Sequence, residues 1–179
     1  MKMLFISDIH GIYENLDFID NIIKMKDMDK LVVLGDLYYS GPTYDDNLKV
    51  NGNLVMEFLK KHKDILICMR GNCDSLVDIK VSDTPICSDL SMIYVDDLDI
   101  YITHGNEYNK NKSNKFNNCI LVYGHEHVPY IEKKDNNIFI CVGSISLPRH
   151  GSMPSYMIYE NRNFTIYDIN NNIIDSIKL

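Results

Sequence analysis

The chain has 179 residues, of which 45% are apolar and 24% are charged, and its formal net charge is −7 at pH 7. This composition is typical of a soluble globular protein, and the length allows one domain, over residues 1–179, with a sizeable hydrophobic core. The acidic balance argues against a general nucleic-acid binder, which would need a basic surface.

The N-terminal part of the chain alternates strand-like and helix-like patterns. Short apolar, β-branched runs at residues 2–7, 31–34 and 65–69 predict strands, whereas residues 13–25 and 53–62 carry apolar side chains at helical spacing. The resulting order is βαβαβ, which predicts a parallel sheet with right-handed crossover connections.

The C-terminal part is dominated by short strands, which are separated by turns such as Asp135-Asn136-Asn137. Successive strands of this kind favour antiparallel or mixed pairing. We therefore predict an α/β (α+β) fold in which two sheets pack face to face, with helices outside. The predicted strands of this part span residues 93–95, 100–103, 120–123, 130–132, 138–142, 155–159, 164–167 and 173–177.

Residues 106–118 form a polar segment that is rich in Asn and Lys and has neither strand nor helix periodicity. We predict a mobile loop there. It could act as a lid over a binding site or be a tolerated surface insertion. The second interpretation is favoured, because most such loops are simply solvated.

The five cysteines are odd in number and include no C-x-x-C pair, so nothing in the sequence predicts a disulfide framework. The apolar run at the N-terminus ends at Asp8, which makes it too short for the core of a signal peptide, and no stretch approaches the length of a membrane span. These features predict a cytoplasmic protein without a membrane partner. The cysteines are Cys68, Cys73, Cys87, Cys119 and Cys141.

Polar side chains suited to metal binding follow five of the predicted strands. In open α/β sheets, ligands gather beyond the carboxyl ends of the strands, so these side chains could converge at one place. Each motif alone is weak, because Gly-Asn is usually a turn and His-x-His can be a simple zinc site or a surface pair. The motifs are Asp8-Ile9-His10, Gly35-Asp36, Gly71-Asn72-Cys73-Asp74, His104-Gly105 and His125-Glu126-His127.

Imidazole nitrogens together with carboxylate and amide oxygens suit manganese, iron, zinc or nickel, and magnesium is a further candidate cofactor. The motifs provide more ligands than one ordinary site needs, but the number suits two divalent ions that share a carboxylate. Two ions ~3.5–4 Å apart clamp the attacking and leaving oxygens of an in-line displacement, with a bridging hydroxide as the nucleophile. The candidate ligands are Asp8, His10, Asp36, Asn72, His104, His125 and His127.

The order of these motifs resembles the calcineurin-like metallophosphoesterases, and most closely the small bacterial YfcE-type phosphodiesterases. The resemblance covers essentially the whole chain and includes M-R-G-N-C-D-S at residues 69–75, L-V-Y-G-H-E-H-V-P at 121–129 and G-S-I-S-L-P at 143–148. It implies a four-layer sandwich, with two mixed sheets flanked by helices, and a centre of two divalent metal ions, most often manganese.

The resemblance also implies how the ligands are divided between the two ions. Asp36 would bridge them. The first ion would be held by Asp8, His10 and His127. The second ion would be held by Asn72, His104 and His125.

Three neighbours of Asn72 complete the candidate catalytic set. Many members of the family have a histidine where this chain has Cys73, and a positioned acid is worth ~10²–10⁴-fold in rate, so good leaving groups should be favoured here. Alternatively, Cys73 is a packing residue. Asp74 could orient a ligand or the leaving group, or cap the short helix that starts near residue 75. Arg70 could meet a phosphate oxygen or form a surface ion pair.

Departures from the family pattern concern the surroundings of the ligands. Ser40 and Asn106 stand where YfcE-type proteins often have histidine, and Cys141-Val142 replaces an Asn-Pro pair. These changes bear on the shape of the substrate pocket. Outside the motifs, His62 at the end of a predicted helix is expected to be solvated, and His150 is expected to be a surface residue.

The sequence predicts a phosphodiesterase that acts on small or activated diesters, because the chain has no obvious cap domain and few basic residues near the motifs. The expected partner is a small phosphate ester rather than a long polynucleotide, which suits an acidic protein poorly. A phosphomonoesterase is the nearest alternative, but a monoester carries more charge, and only Arg70 and Arg149 are candidates to meet it.

Two alternatives involve no such reaction. A protein-binding scaffold with this fold, like a retromer subunit of eukaryotes, could have an incomplete ligand set, whereas the set here is complete. A single-metal zinc module could use His125 and His127 with two further ligands. It would leave unexplained the residues Asp8, His10, Asp36 and Asn72. The sequence also allows a homo-oligomer, because apolar residues of the C-terminal strands could pair with another subunit.

Overall fold

The computed structural model describes residues 1–39, 49–86, 89–112 and 115–179. The features noted at Ser40 and Cys87 lie outside these ranges. The described residues form two mixed β-sheets packed face to face, with helices on the outer face of the first sheet. The fold prediction of two mixed sheets with helices outside is thereby confirmed.

The strands of the described residues divide between two sheets. The first sheet has the order β11-β10-β9-β1-β2-β3, and the second has the order β4-β5-β6-β8-β7. In chain order the strands are β1 (Lys2–Ile6), β2 (Lys30–Val33), β3 (Leu66–Cys68), β4 (Leu90–Val95), β5 (Leu98–Thr103), β6 (Ile120–Tyr123), β7 (Pro129–Lys134), β8 (Asn137–Val142), β9 (Ser155–Glu160), β10 (Asn163–Asp168) and β11 (Ile173–Lys178).

Each sheet has parallel strands at its centre or along one side. β1, β2 and β3 pair in parallel, which confirms the arrangement predicted from the βαβαβ pattern, and β9 pairs antiparallel with β1. In the second sheet β5, β6 and β8 pair in parallel, whereas β4 and β7 lie antiparallel at the edges. Parallel strands end at the same edge of a sheet, so the loops that follow them are neighbours.

Side chains along the strands alternate between two buried layers. In β1, Met3 and Phe5 face the second sheet, whereas Leu4 and Ile6 face the helices. This two-residue period is expected for a sheet that is covered on both faces. It also specifies the strand register, because a shift of one residue would exchange the two sets of side chains.

Two helices cover the outer face of the first sheet. α1 (Leu16–Lys26) and α2 (Gly52–Lys61) place residues such as Ile19 and Val55 in the same core as Leu4 and Ile6. α1 begins later than the predicted residue 13. The reason is that residue 12 forms a β-bridge with residue 50, and the amide of residue 13 donates to the carbonyl of residue 49, so this stretch is not helical.

A third helix, α3 (Leu76–Val81), starts where the sequence predicted. The Ser75 hydroxyl accepts a hydrogen bond from the Asp78 amide at 3.1 Å, and the Asp78 carboxylate accepts one from the Ser75 amide at 2.8 Å. This reciprocal arrangement is a capping box. Ser75 is therefore the cap of α3, and the interpretation of Asp74 as the cap is wrong.

The described residues of the polar segment 106–118, which are 106–112 and 115–118, lie along the outer face of the second sheet. Tyr108 and Phe116 pack against a cluster that includes Leu121 and Phe139, and the buried Asn109 donates to the Gly105 carbonyl at 2.8 Å. The described part of the segment contains no helix or strand. These three side chains are therefore not simply solvated, since burial of an apolar sheet face is favourable, whereas the interpretation of the segment as a surface insertion stays a prediction.

His62 is buried, which corrects the expectation of a solvated side chain. Its Nε2 lies 3.0 Å from Asp20 Oδ1, and its ring packs edge-on against Phe58. Asp20 belongs to α1, so this pair joins the two helices. The position of His62 at a helix end was predicted correctly, but the carboxylate beside it comes from another helix.

Several further expectations concern exposure and cysteine chemistry. His150 is exposed, as predicted. Cys73, Cys119 and Cys141 are unbridged thiols. Among the residues that the structure describes, no helix is both long enough and apolar enough to cross a membrane.

Candidate metal centre

The predicted ligands come together at one edge of the sandwich, where the parallel strands of both sheets end. They reach this edge from the loops that follow five different strands, in agreement with the placement expected from the motifs. Asp8 and His10 follow β1, Asp36 follows β2, Asn72 follows β3, His104 follows β5, and His125 and His127 follow β6.

One half of the cluster contains Asp8, His10 and His127. His127 Nε2 lies 3.2 Å from Asp8 Oδ1 and 3.3 Å from His10 Nε2. His10 Nε2 lies 3.8 Å from Asp8 Oδ1. All three side chains are buried, so their donor atoms face one another rather than bulk water.

The other half contains Asn72, His104 and His125. Asn72 Oδ1 lies 3.0 Å from His104 Nε2, and His125 Nδ1 lies 3.3 Å from the same nitrogen. His104 is fully buried, whereas His125 is half-buried and Asn72 is exposed. This half of the cluster therefore faces solvent.

Asp36 lies between the two halves. Its Oδ2 is 3.6 Å from His10 Nε2 and 3.3 Å from His104 Nε2. Its other oxygen, Oδ1, accepts a hydrogen bond from the Cys73 amide at 2.8 Å, which orients the carboxylate. Asp36 thus occupies the position that a bridging ligand would need.

Asp8 indicates that a cation fits this cluster. Its Oδ2 accepts a hydrogen bond from the His125 amide at 2.9 Å, whereas its buried Oδ1 has no hydrogen-bond partner among the described residues. A buried carboxylate oxygen without a donor is costly unless a cation compensates it. Imidazole nitrogens lie 3.2 Å and 4.0 Å away on His127 and His104, so this mixed donor set suits divalent metal ions.

Backbone carbonyls hold three of the histidines on the side away from the cluster. A ring nitrogen must carry a proton to donate to a carbonyl, so in a neutral imidazole the Nε2 lone pair then faces the cluster. This tautomer is the one that binds metal through Nε2. The contacts are His10 Nδ1 to the Tyr39 carbonyl at 2.6 Å, His104 Nδ1 to that of Leu34 at 2.8 Å, and His127 Nδ1 to that of Leu147 at 2.5 Å.

Most of the candidate ligands have a left-handed backbone. A positive φ is uncommon for residues other than glycine and costs on the order of 1–3 kcal/mol for each residue. The left-handed conformation of these residues turns their side chains out of the strand direction and towards a common point. The residues are Asp8 (55°), His10 (52°), Asp36 (54°), His125 (65°) and His127 (59°).

Electrostatic coupling shifts the pKa values of the cluster. Burial raises the pKa of Asp36, but a hydrogen bond and charge from His104 outweigh burial and lower it below the usual range. Burial lowers the pKa of His104, but Asp36 and Asp8 outweigh that effect and raise it to about 9. A proton on His104 thus offsets part of the carboxylate charge, and binding of a cation should release it.

Asp74 joins the loops that carry Asp36 and Asn72. Its buried carboxylate accepts hydrogen bonds from the amides of Asp36 at 3.0 Å, Leu37 at 2.8 Å and Gly71 at 2.8 Å. Burial raises the pKa of Asp74, and these donors oppose the rise. The geometry favours the interpretation that Asp74 orients a ligand, and it does so through the backbone.

Cys73 lies beside the cluster, whereas Arg70 contacts a backbone group. The Cys73 Sγ lies within 4.8 Å of donor atoms of His10 and Asp36. Burial and the negative charge of Asp36 raise the pKa of Cys73 to about 12. Arg70 is half-buried, and its Nε donates to the Asp74 carbonyl at 3.4 Å. A contact between Arg70 and phosphate stays a prediction.

Two glycines let the backbone pass close to the ligands. A Cβ on Gly71 would lie 2.1 Å from Asp36 Oδ1. One on Gly124 would lie 1.8 Å from Ser7 Oγ and 2.6 Å from Asp8 Oδ2. Any side chain at either position would displace a candidate ligand, which explains glycine in the Gly-Asn and Gly-His motifs.

The loop after β8 supports the centre in a way that the sequence analysis missed. Ser144 Oγ donates to the Asp8 carbonyl at 2.8 Å and accepts from the Leu147 amide at 2.8 Å. The Leu147 carbonyl in turn holds His127. The only signal was the family-like G-S-I-S-L-P stretch, which carried no role for individual residues.

A second missed network lies behind the His125-Glu126-His127 turn. The Tyr130 hydroxyl donates to Glu126 Oε2 at 3.0 Å and contacts the Tyr123 hydroxyl. The Tyr123 hydroxyl also accepts from the Lys110 amide at 3.3 Å. These contacts connect the ligand turn with the segment 106–118, and no local pattern in the sequence indicates them.

Known protein families identify the class to which this fold and centre belong. Residues 1–163 match the model of the calcineurin-like phosphoesterase superfamily domain. The chain belongs to this superfamily, which confirms the resemblance inferred from the motifs. Membership of this superfamily also confirms the prediction that the protein is a hydrolase that acts on phosphate ester bonds.

Within the superfamily, the chain is similar to Phosphodiesterase YfcE of Escherichia coli (strain K12). The two are 30% identical over 178 residues, which include 97% of this chain and 95% of the relative. The solved structure of Yfce, a phosphoesterase from E. coli, has a TM-score of 0.92 at 29% identity and covers 99% of this chain and 98% of that chain. The sheets and helices described above therefore form the fold of that phosphoesterase.

More distant structures share the fold alone. An archaeal phosphodiesterase has a TM-score of 0.64 at 19% identity, with 100% of both chains covered. Vacuolar Protein Sorting 29 from Cryptosporidium parvum has a TM-score of 0.69 at 16% identity, with 99% of this chain and 98% of that chain covered. One fold can carry unrelated functions, so these likenesses assign neither an activity nor a partner.

Proposed function

We propose that this protein is a metal-dependent phosphodiesterase that hydrolyses small or activated phosphate diesters. The observation that carries the proposal is the pair of facing donor sets, with Asp36 between them and an unpartnered buried oxygen on Asp8. The name of the relative, Phosphodiesterase YfcE, supports a diester as the substrate.

The cluster would hold two divalent ions, with manganese as the first candidate. When bound, the ions would lower the pKa of a water molecule and neutralise charge on the phosphate. Asp36 would be shared between them. The remaining ligands would divide into Asp8, His10 and His127 for one ion, and Asn72, His104 and His125 for the other.

The residues around the ligands would set the geometry of the reaction. Asp74 keeps the loops of Asp36 and Asn72 together, and carbonyls such as that of Leu147 keep the imidazoles oriented. The side with Asp8 is buried, whereas Asn72 is exposed. The ester would therefore approach from the side of Asn72.

The charge around the centre favours a diester over a monoester. A monoester dianion carries more charge than a diester, so its recognition calls for additional arginines. Of the two candidate arginines, Arg70 donates a hydrogen bond to the Asp74 carbonyl, and the side chain of Arg149 is exposed. The diester is therefore the favoured substrate.

The first test is hydrolysis of an activated diester beside the matching monoester, for example bis(4-nitrophenyl) phosphate beside 4-nitrophenyl phosphate. The protein would be stripped of metal and titrated with manganese. We expect manganese-dependent turnover with a preference for the diester. The Asp36→Asn and His125→Ala variants should lose it, whereas Asp135→Asn, in an exposed turn, should retain it. Turnover that persists in both ligand variants would contradict the proposal.

A second test counts the ions, because a scaffold or a single-metal module need not bind two. Equilibrium dialysis should give two manganese ions for each chain, and fewer in Asp36→Asn. Binding at neutral pH should also release protons, since His104 has a raised pKa. A single zinc ion that remains bound in Asp36→Asn would favour the zinc-module alternative instead.

Localisation and assembly are proposals of the same kind. The unbridged thiols of Cys73, Cys119 and Cys141 agree with a reducing cytoplasm. Ile173 and Ile174 of β11 are 64% and 40% exposed, and they are the side chains through which a homo-oligomer would form. Light scattering of the wild type and of Ile173→Lys would test that assembly.

A further inference from the structure

A cavity of about 460 Å³ opens beside the candidate metal centre. Cys73 connects the two, because its Sγ lies within 4.8 Å of donor atoms of His10 and Asp36. Tyr39 is a second connection, since its carbonyl accepts a hydrogen bond from His10 Nδ1 at 2.6 Å. A group attached to a phosphate at the centre could therefore extend into the cavity. Its lining residues are Tyr38, Tyr39, Cys73, Ser75 and Asp78.

The aromatic part of the lining combines a fixed ring with an accessible one. Tyr38 packs against the core beneath the helices, and its hydroxyl lies 3.1 Å from Ser82 Oγ. Tyr39 is 52% exposed, so its ring can be covered by a ligand. Tyrosine rings of this kind favour contact with planar apolar groups.

The charge of the lining excludes some ligands. Asp78 is its carboxylate, and Oδ2 of Asp78 accepts a hydrogen bond from the Ser75 amide at 2.8 Å. None of the lining residues in the described ranges is a lysine or an arginine. Arg70, which precedes Cys73 in the same loop, donates to the Asp74 carbonyl. A second phosphate or a carboxylate would therefore meet no positive partner here.

We propose that this cavity binds one ester substituent of the substrate and that the preferred substituent is an uncharged aromatic ring. The inference rests on the proposed function and narrows its substrate class to aryl or heteroaryl phosphodiesters without a second anionic group. Tyr39 determines the preference for the ring, and Asp78 disfavours anionic substituents.

The direct test is the binding of phosphonates to the manganese-loaded protein by calorimetry. Phenylphosphonate and methylphosphonate carry the same charged group and differ only in the substituent, at a pH where both are dianions. We expect phenylphosphonate to bind about tenfold more tightly, as a ring–ring contact with partial burial allows. The Tyr39→Ala variant should lose most of this ratio. Tyr94→Ala, which removes another exposed tyrosine on β4, should keep it.

A second pair of phosphonates tests the role of Asp78. A 4-carboxyphenyl and a 4-carbamoylphenyl group have nearly the same size but differ in charge. We expect the carboxylate to bind several-fold more weakly to the wild type. The Asp78→Asn variant should narrow the difference, while its amide oxygen can still accept the hydrogen bond from Ser75.

The outcomes separate this inference from the proposed function. Equal binding of phenylphosphonate and methylphosphonate, with manganese-dependent turnover intact, would overturn the cavity assignment alone. A phenyl preference that persists in Tyr39→Ala and in a second folded variant, Tyr39→Leu, would overturn it as well. The absence of both manganese-dependent turnover and phosphonate binding would overturn the proposed function.

Discussion

Left-handed backbone is found both in two-residue β-hairpin turns and in the ligand loops of this protein, and its origin differs between these two regions. In three hairpins of the described residues the loop has two residues, and both have positive φ. Loops of this length favour left-handed residues, for which Asp and Asn are well suited. The pairs are Asp96-Asp97, Asp135-Asn136 and Asn161-Arg162.

In the ligand loops, contacts from distant parts of the chain hold the same conformation. The Asp8 amide donates to the Gly35 carbonyl at 3.1 Å, and the His10 amide donates to the Asp36 carbonyl at 2.8 Å. These residues are buried, and neither lies in a two-residue hairpin. Local chemistry is therefore sufficient for the hairpin turns, whereas the ligand loops require the assembled sandwich.

The largest effect is expected when one negative charge is removed from a ligand loop and, as a control, one is removed from a hairpin turn. Asp8→Asn retains a residue that tolerates left-handed backbone but loses the unpartnered oxygen. We expect kcat/KM for a diester to fall by more than about 100-fold, since loss of residues that merely support a ligand already costs about 10–100-fold. Metal content by mass spectrometry should fall in parallel.

The control for this comparison is Asp135→Asn in a hairpin turn, which should leave both quantities within about twofold, as expected for a surface change. Equal metal content in Asp8→Asn and the wild type would contradict the role assigned to Asp8.

A second comparison uses glycine substitutions in and away from the centre. In Gly124→Ala the new methyl group would lie 1.8 Å from Ser7 Oγ, whereas in Gly151→Ala it would meet nothing within 4 Å. We expect Gly124→Ala to lower the free energy of unfolding by about 3 kcal/mol or more and to weaken metal binding. Gly151→Ala, strained only by its φ of +77°, should cost about 1 kcal/mol. Urea unfolding would measure both, and equal losses would contradict the close approach at Gly124.

Cys73 offers a smaller change that leaves the ligands in place. Cys73→His introduces a group whose ordinary pKa is near neutrality, so it can donate a proton to a leaving oxygen. We expect about a tenfold gain with poor leaving groups and little change with 4-nitrophenolate, since proton donation matters most for basic leaving groups. Rates that do not change along a graded series of leaving groups would contradict this expectation.

The smallest effect concerns the buried pair of His62 and Asp20, which joins the end of α2 to α1 and lies away from the metal centre. Burial lowers the pKa of His62 below its ordinary value, although Asp20 opposes the shift. As the pH falls, His62 is therefore protonated in the unfolded chain at a higher pH than in the folded protein. The contribution of His62 to the free energy of unfolding should be constant above about pH 6.5 and fall below it by less than about 1.4 kcal/mol per pH unit.

The difference between wild type and His62→Gln in denaturant unfolding at several pH values would isolate this contribution from the other histidines. An NMR titration that places the pKa of His62 above its ordinary value would contradict it.

Sequence reasoning was most accurate where the physical signal is local. The strands and the two longer helices were found from the spacing of apolar residues, although α1 begins at residue 16 rather than 13. That difference arises from the bridge between Ile12 and Val50, which are far apart in the chain. The short helix after Asp74 was placed correctly, but its cap is Ser75.

The sequence by itself determined the strand-end motifs and hence the list of candidate ligands, because parallel strands deliver the residues that follow them to one edge. Only the tertiary structure decided that Asp74 ties two loops together, that His62 meets Asp20, and that Tyr108 and Phe116 cover a sheet face. Each of these features depends on contacts between residues distant in the chain. Such contacts leave no periodic pattern in the sequence, because their partners are brought together only by packing the two sheets and the helices.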